Sequence, residues 1–419
     1  MQKIGFVSLG CSKNLVDTEM MIGFYKENGY EIVNNPAEAD VIVINTCGFI
    51  ESAKEEAINT ILEMADYKKQ NCKKLVVTGC MVERYKEELE KELPEVDLFI
   101  KIKEYDQIFN KLDYMKRTIT TGKNFAYVRI ADGCSNFCTY CAIPYIRGPL
   151  KSRTIEDIIE EAKMLEKEGY PEIILIAQDT ARYGVDIYGK SKLVELLKEL
   201  SKLHFKWIRF LYTYPEMISD ELIELVAKSD KICHYFDIPI QHIADPVLKR
   251  MGRKSNGETI RNVISKIREK IPDAVIRTTV MVGFPGEREV DFDELYQFVK
   301  DEEFDRLGVF SFSPEDGTPA IKLPEQIPEE RKQERYDQIM TVQQEVSSDN
   351  NQKMIGKTLE CIIDGITEDG KMYIARSYRD VPDIDGVIFV EKEKEHPVGS
   401  FITCKVKEAF EYDLVAKEE

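Results

Sequence analysis

Cys134, Cys138 and Cys141 stand as Cys-x3-Cys-x2-Cys in the stretch Gly133-Cys134-Ser135-Asn136-Phe137-Cys138-Thr139-Tyr140-Cys141. Thiolates are the ordinary ligands of iron–sulfur clusters, and three on one short loop can hold three irons of a cubane. The fourth iron is then open to chelate a small molecule through nitrogen and oxygen. A structural zinc site would need a fourth ligand, and the nearest histidines are the distant His204 and His234. A disulfide framework suits an odd triplet less well than metal does.

A second trio is spread along the N-terminal third. Three apolar strand candidates, Ile4 to Leu9, Val41 to Asn45 and Leu75 to Thr78, each run into a cysteine, in Leu9-Gly10-Cys11, Asn45-Thr46-Cys47 and Thr78-Gly79-Cys80. Residues 1–122 alternate such strands with amphipathic helices, the pattern of a doubly wound α/β sheet. The carboxyl ends of parallel strands form the ligand crevice of these sheets, so Cys11, Cys47 and Cys80 should converge at one edge. Each also precedes an expected helix, whose amides would favour a thiolate or an anionic cluster. The plainer reading, three small buried hydrophobes ending three strands, suits any one of these cysteines better than all three. Cys72, beside Lys73-Lys74, lacks this placement and reads as an incidental surface thiol.

The elements that must carry the first motif follow. Six apolar strand candidates alternate with charged helices: Tyr127-Ile130, Ile173-Ala177, Ile208-Tyr212, Tyr235-Ile240, Ile276-Val282 and Leu307-Phe312. Six strand–helix repeats read as a partial (β/α)6 barrel, with the three-cysteine loop after its first strand, on the face where parallel barrels keep their chemistry. Gln178 and Asp179, Tyr214, Gln241 and His242, and Gly283 with Glu287 sit just past the other strand ends. His242 could line the cavity or cap a loop.

From Pro328 to about Lys353 the chain reads as a connecting helix, its charge run Glu329-Glu330-Arg331-Lys332 solvated and its Tyr336, Ile339, Met340 and Val342 packed on the barrel. Beyond Gly356, short strands and Asp-Gly turns at Asp369-Gly370 and Asp385-Gly386 suggest a small antiparallel β-barrel. Cys361, Cys404 and Cys233 read as core. Three domains are therefore expected, over residues 1–122, 123–353 and 354–419.

Composition limits the setting. A chain of 419 residues with 43% hydrophobic content can bury several cores. Neither a signal peptide nor eighteen consecutive apolar residues is visible, so the expected location is the cytoplasm, where ten cysteines are reduced thiols available to metal. The formal charge of −18 opposes broad attraction to nucleic acid or anionic lipid.

The Cys134/Cys138/Cys141 motif resembles the radical S-adenosylmethionine superfamily, and the chain as a whole resembles its methylthiotransferase family. Gly10-Cys11-Ser12-Lys13-Asn14, Asn45-Thr46-Cys47, Thr78-Gly79-Cys80-Met81, Arg147-Gly148 and Ser152-Arg153 carry that likeness, and the terminal barrel resembles a TRAM domain. The resemblance implies two 4Fe-4S clusters and two molecules of S-adenosylmethionine. By it, the Cys134/Cys138/Cys141 cluster releases a 5'-deoxyadenosyl radical that takes a substrate hydrogen, and the Cys11/Cys47/Cys80 cluster presents the sulfur. It also implies that Tyr140 packs against the cofactor, that Gly283 belongs to an adenine-side turn, and that a low-potential electron donor serves the enzyme.

Within the family, Gly10-Cys11-Ser12-Lys13-Asn14-Leu15-Val16-Asp17, Cys141-Ala142-Ile143-Pro144 and Asp237-Ile238-Pro239-Ile240-Gln241-His242 resemble the RimO branch. That branch modifies an aspartate of small-subunit ribosomal protein twelve. The alternative is the tRNA-adenosine branch, which shares every iron ligand. From Ile355 onward nine Lys and Arg face fifteen Asp and Glu, a poor match for direct tRNA binding. Lys101-Ile102-Lys103 departs from the family, whose members usually carry a glycine-containing turn there. A binding scaffold without catalysis is the rival of another class, separable by whether S-adenosylmethionine is cleaved.

Overall fold

The computed structural model describes residues 1–109 and 112–419. They form two compact units, one of residues 1–120, 127–151 and 313–321, the other of residues 121–126, 152–312 and 322–419.

The first unit begins β1 (Lys3–Ser8), α1 (Ser12–Glu27), β2 (Glu31–Ile32), β3 (Val41–Thr46), α2 (Glu51–Ala65), β4 (Lys74–Gly79), α3 (Cys80–Glu92) and β5 (Leu98–Ile100). Its sheet is parallel throughout, in the order β2-β1-β3-β4-β5. A parallel sheet covered on both faces needs apolar residues on both, and every residue of β3 is buried. Ile42, Ile44, Leu75 and Val77 pack with Ala57 and Ile61 of α2, while Val41, Val43 and Val76 point the other way, onto Met21, Tyr105 and Phe109. This is the expected doubly wound arrangement.

Cys72 departs from expectation. It is 4% exposed inside the core with Leu75 and Val77, and its sulfur reaches the Lys74 carbonyl at 3.4 Å. The flanking lysines point to solvent while the small thiol fills the space beneath α2.

The same unit holds residues 127–129 of β6 (Ala126–Arg129) and, after the three-cysteine loop, α4 (Ile143–Arg147). In the second unit, α5 (Ile155–Lys167), β7 (Glu172–Ile176), α6 (Leu193–Leu200), β8 (Trp207–Phe210), α7 (Asp220–Lys228), β9 (Tyr235–Gln241), α8 (Gly257–Lys270), β10 (Val275–Val282), α9 (Glu289–Glu302) and β11 (Arg306–Ser311) continue the alternation. All six strands foreseen for the central region are present. β7 pairs with β8, β9 with β10, and β10 with β11, all parallel. A bulge between Ile238 and Gln241 takes in Pro239, which has no amide to give the ladder.

The helix α10 (Glu329–Gln352) then packs Ile339 and Val342, as expected, but also buries Lys332 and Arg335 to 2% exposure each. Lys332 donates to the Phe312 carbonyl at 2.9 Å, and Arg335 Nη1 lies 3.2 Å from Glu287 Oε2, so part of the charge run is inside.

The chain ends in a closed barrel of β12 (Thr358–Ile366), β13 (Met372–Ser377), β14 (Ile388–Glu391), β15 (Phe401–Ala409) and β16 (Leu414–Glu418), in the order β12-β13-β14-β16-β15. β16 was not foreseen, and its pairing with β14 is parallel in an otherwise antiparallel barrel. Cys361 and Cys404 are fully buried in the barrel core, and Cys233 is buried ahead of β9. Among the described residues no helix is long and apolar enough to cross a membrane.

Candidate metal centre

Register brings the first trio together. Ser8 lies opposite Asn45, and Asn45 opposite Thr78, so β1, β3 and β4 finish level. Cys11, Cys47 and Cys80 follow within three residues of those ends. Cys11 is the N-cap of α1 and Cys80 opens α3. Cys47 does not directly precede its helix, because α2 starts at Glu51, and its thiol instead receives the amides of Phe49 and Gly48.

Asn14, with no exposed surface, staples this edge. Its Nδ2 donates to the carbonyls of Leu9 at 3.1 Å and Thr46 at 3.0 Å, fixing the turns that carry Cys11 and Cys47, and its Oδ1 is 3.5 Å from the Cys80 sulfur. Gly10 has φ +86°, and a Cβ there would come within 2.7 Å of the Cys47 Cβ, so only glycine permits this closeness.

The three thiols sense one another. Burial pushes Cys80 up to about 12, Arg147 pulls it back, and Cys11 and Cys47 raise it further. Burial likewise raises Cys47, with Cys11 adding to it. Such thiols stay protonated unless a cation replaces the proton, and three soft sulfur donors at one crevice fit an iron–sulfur cluster. Among the described residues no three His, Cys, Asp or Glu close on a point as one metal ion would require. A cubane does not ask for that, because each thiolate binds a separate iron.

The second trio lies on the loop between β6 and α4. Asp132 accepts the Gly133 amide at 2.9 Å, the Cys134 amide donates to Gly148 O at 3.0 Å, and the Cys141 amide donates to Cys138 O at 3.0 Å. The Asn136 amide points at the Cys134 sulfur, 3.5 Å away. Phe137, at φ +53° and 56% exposed, occupies the left-handed region that costs a non-glycine residue about 1–2 kcal/mol. Cys134 and Cys138 are buried, Cys141 and Tyr140 half-buried. The Asn136 amide is thus directed at a thiol sulfur, while the Gly133, Cys134 and Cys141 amides are taken by oxygen acceptors that hold the loop.

Arg147, which in the sequence only carries the family likeness in Arg147-Gly148, is a charged group beside the first trio. The Arg147 side chain is 1% exposed, with Nη2 2.8 Å from Asp17 Oδ2 and Nη1 3.3 Å from Asp132 Oδ2. Arg129 holds the other Asp17 oxygen at 2.5 Å. Burial alone would weaken the charge on Arg147, yet Asp17 and Asp132 drive its pKa well above the usual arginine value. Burial works against ionised Asp132 too, and Arg147 with Arg129 overcomes it, leaving that carboxyl below the usual range.

The remaining predicted residues lie in the second unit. Gly283 has φ +71°, and the space a side chain would need is filled by the Lys332 stem. Its amide and that of Phe284 donate to Glu287 Oε2. His242 is fully buried: Nδ1 accepts the Ala244 amide at 3.0 Å, which leaves its proton on Nε2, 3.4 Å from Glu287 Oε1. Of the two roles open to His242, this is the loop-capping one. Tyr212 and Gln241, just past and at the ends of β8 and β9, have φ +61° and +69°, strain of a kind that clusters at functional rims.

Three family descriptions match successive stretches: the uncharacterised family UPF0004 over residues 3–101, the radical SAM superfamily over 128–299, and the TRAM domain over 355–418. The chain is 55% identical over 427 residues to the ribosomal protein uS12 methylthiotransferase RimO of Alkaliphilus oremlandii, covering 98% of both chains. It belongs to the RimO family. The RimO of Caldicellulosiruptor saccharolyticus is 50% identical over the whole of both chains. Among solved structures, the radical S-adenosylmethionine methyltransferase TsrM of Kitasatospora setae, with cobalamin and a 4Fe-4S cluster bound, superposes with a TM-score of 0.56 at 11% identity over 76% of this chain and 74% of its own, a likeness of fold. As in any RimO family member, the chemistry here is that of a radical S-adenosylmethionine enzyme with 4Fe-4S clusters.

Proposed function

We propose that this chain places a methylthio group on the β-carbon of an aspartate of ribosomal protein uS12, using S-adenosylmethionine, 4Fe-4S clusters and an external low-potential electron donor. The observation that carries the reading is the full-length RimO relationship of a chain with two three-cysteine constellations. An unactivated carbon–hydrogen bond has no acidic proton, so side-chain acid–base catalysis cannot open it at a useful rate. Bound S-adenosylmethionine and the clusters supply the radical chemistry and the sulfur, and the protein supplies placement, electrostatics and exclusion of water.

In this assignment Cys134, Cys138 and Cys141 hold the radical cluster, with Tyr140 and Gly283 on the cofactor side. Cys11, Cys47 and Cys80 hold the auxiliary cluster. The sequence divides by role into residues 1–122, 123–353 and 354–419. Asn14 keeps the Cys11 and Cys47 turns together, and the buried Arg147 neutralises part of the negative charge that thiolates bring into the crevice. The terminal segment, with nine basic against fifteen acidic residues, supports a basic protein substrate over a polyanion.

Mass spectrometry of ribosomal protein uS12 and of tRNA from a strain lacking the gene tests the reading. The expected loss is of the methylthio group on uS12 alone. Loss from tRNA, with uS12 unchanged, would promote the tRNA branch.

A further inference from the structure

The Arg147 side chain touches Cys80 of one cysteine trio and, through Asp132, ties to the backbone beside Cys134 of the other. Arg147 Nη2 donates to Asn14 Oδ1 at 2.6 Å and lies 3.7 Å from the Cys80 sulfur, while Nη1 reaches Asp132, whose other oxygen accepts the Gly133 amide beside Cys134. The next residue ties back as well, because Gly148 O accepts the Cys134 amide at 3.0 Å. Arg147 ends the short helix that follows Cys141, so a displacement of its guanidinium pulls on the Cys134 loop and on the Cys80 crevice together.

We infer that Arg147 is a positioning residue that couples the two cluster sites, setting the reduction potential of the Cys11/Cys47/Cys80 cluster through an N–H···S contact and a fixed positive charge. The inference rests on the proposed ligation of that cluster by Cys80. Cluster potentials respond to net charge and to hydrogen bonds on the sulfurs, and outer partners of metal ligands fix ligand orientation. The two carboxylates explain why arginine stands here. Asp17 and Asp132 neutralise Arg147 and Arg129 between them, so the buried group is balanced before the cluster binds, and the Cys80 thiolate adds charge that the Arg147 guanidinium contacts directly. A lysine has one nitrogen and cannot reach Asp132 and the Asn14–Cys80 pair at once.

The test is redox titration followed by electron paramagnetic resonance, in a full-length chain in which Cys134, Cys138 and Cys141 are alanine, so that only the auxiliary cluster gives a signal. Arg147→Met, with similar length and no charge, is expected to lower the midpoint potential by the equivalent of a tenfold or greater change in the reduction equilibrium, about 59 mV for one electron. Arg147→Lys is expected to shift it in the same direction by less. If Arg147→Met does not fold, Arg147→Lys decides by itself. Midpoints unchanged in every variant that folds and holds its iron would overturn the inference. If the parent triple-alanine chain binds no iron, the ligand assignment falls instead, and the two failures are therefore distinct. In the chain with all six cysteines, Arg147→Lys is also expected to alter the spectrum of the reduced radical cluster on adding S-adenosylmethionine, a change that a role confined to the auxiliary site would not produce.

Discussion

Arg376 Nη1 lies 2.5 Å from Glu172 Oε2, with both side chains at most 1% exposed, so the terminal barrel meets the first strand of its own unit through a buried ion pair. Arg209 holds the other Glu172 oxygen at 3.0 Å, and Arg376 Nε lies 2.8 Å from Asp364. Removing one partner of such a group leaves a buried charge exposed to low dielectric, at a cost of about 3–5 kcal/mol. Arg376→Met should therefore lower the thermal midpoint and open the link before β12 to protease, and an unchanged melting curve would contradict this.

The deficit should also depend on pH. Burial raises the Asp364 carboxyl above its ordinary value and Arg376 partly offsets this, so without Arg376 it rises further. A carboxyl raised on folding contributes stability that is fully present below its unfolded value and is lost as pH rises through the folded one. The difference between wild type and Arg376→Met should shrink as pH falls into the ordinary carboxylate range. Denaturant titrations at neutral and acid pH check the sign.

Replacing Cys134, Cys138 and Cys141 by alanine should leave about half the iron and abolish formation of 5'-deoxyadenosine, because three thiolates are lost at one site only. Replacing Cys11, Cys47 and Cys80 should also halve the iron, spare cleavage of S-adenosylmethionine and stop methylthio transfer. Full iron content in the second variant would remove the auxiliary cluster.

Gly283→Ala should destabilise the chain by about 1–2 kcal/mol from its left-handed backbone, with a further cost where the new Cβ meets Lys332. Lys332→Ala alone leaves the Gly283 backbone untouched. If Gly283 lies on the cofactor side, the glycine variant should weaken S-adenosylmethionine binding in calorimetry more than Lys332→Ala does, with iron unchanged. Equal affinities would make the glycine a packing requirement only.

Much of this architecture was legible because it is written locally. The three strands ending in cysteine show their apolar runs and their thiols within ten residues, and parallel pairing then had to bring Cys11, Cys47 and Cys80 to one edge. The six central strands follow from the same alternation. What escaped is long-range and polar. Nothing near Arg147 in sequence marks Asp17 as its partner, 130 residues earlier in number, nor Asn14 as the staple of two turns. Lys332 and Arg335 sit in a charge run whose average is hydrophilic, and only the tertiary position of Glu287 and the Phe312 carbonyl draws them in. Cys72 misled for the converse reason, its lysine neighbours being exposed although the thiol is not. The last strand, Leu414–Glu418, is short and half polar, and it needs β14 and β15 on either side to exist.

The most direct measurement adds reduced, cluster-loaded enzyme and S-adenosylmethionine to a mixture of ribosomal protein uS12 and unmodified tRNA, and reads both by mass spectrometry. The expected result is a gain of about 46 Da, one methylthio group for one hydrogen, on a single aspartate of uS12, with the cofactors carrying the bond-breaking step. A methylthio group on an adenosine of the tRNA, with uS12 unmodified in the same tube, would contradict the account.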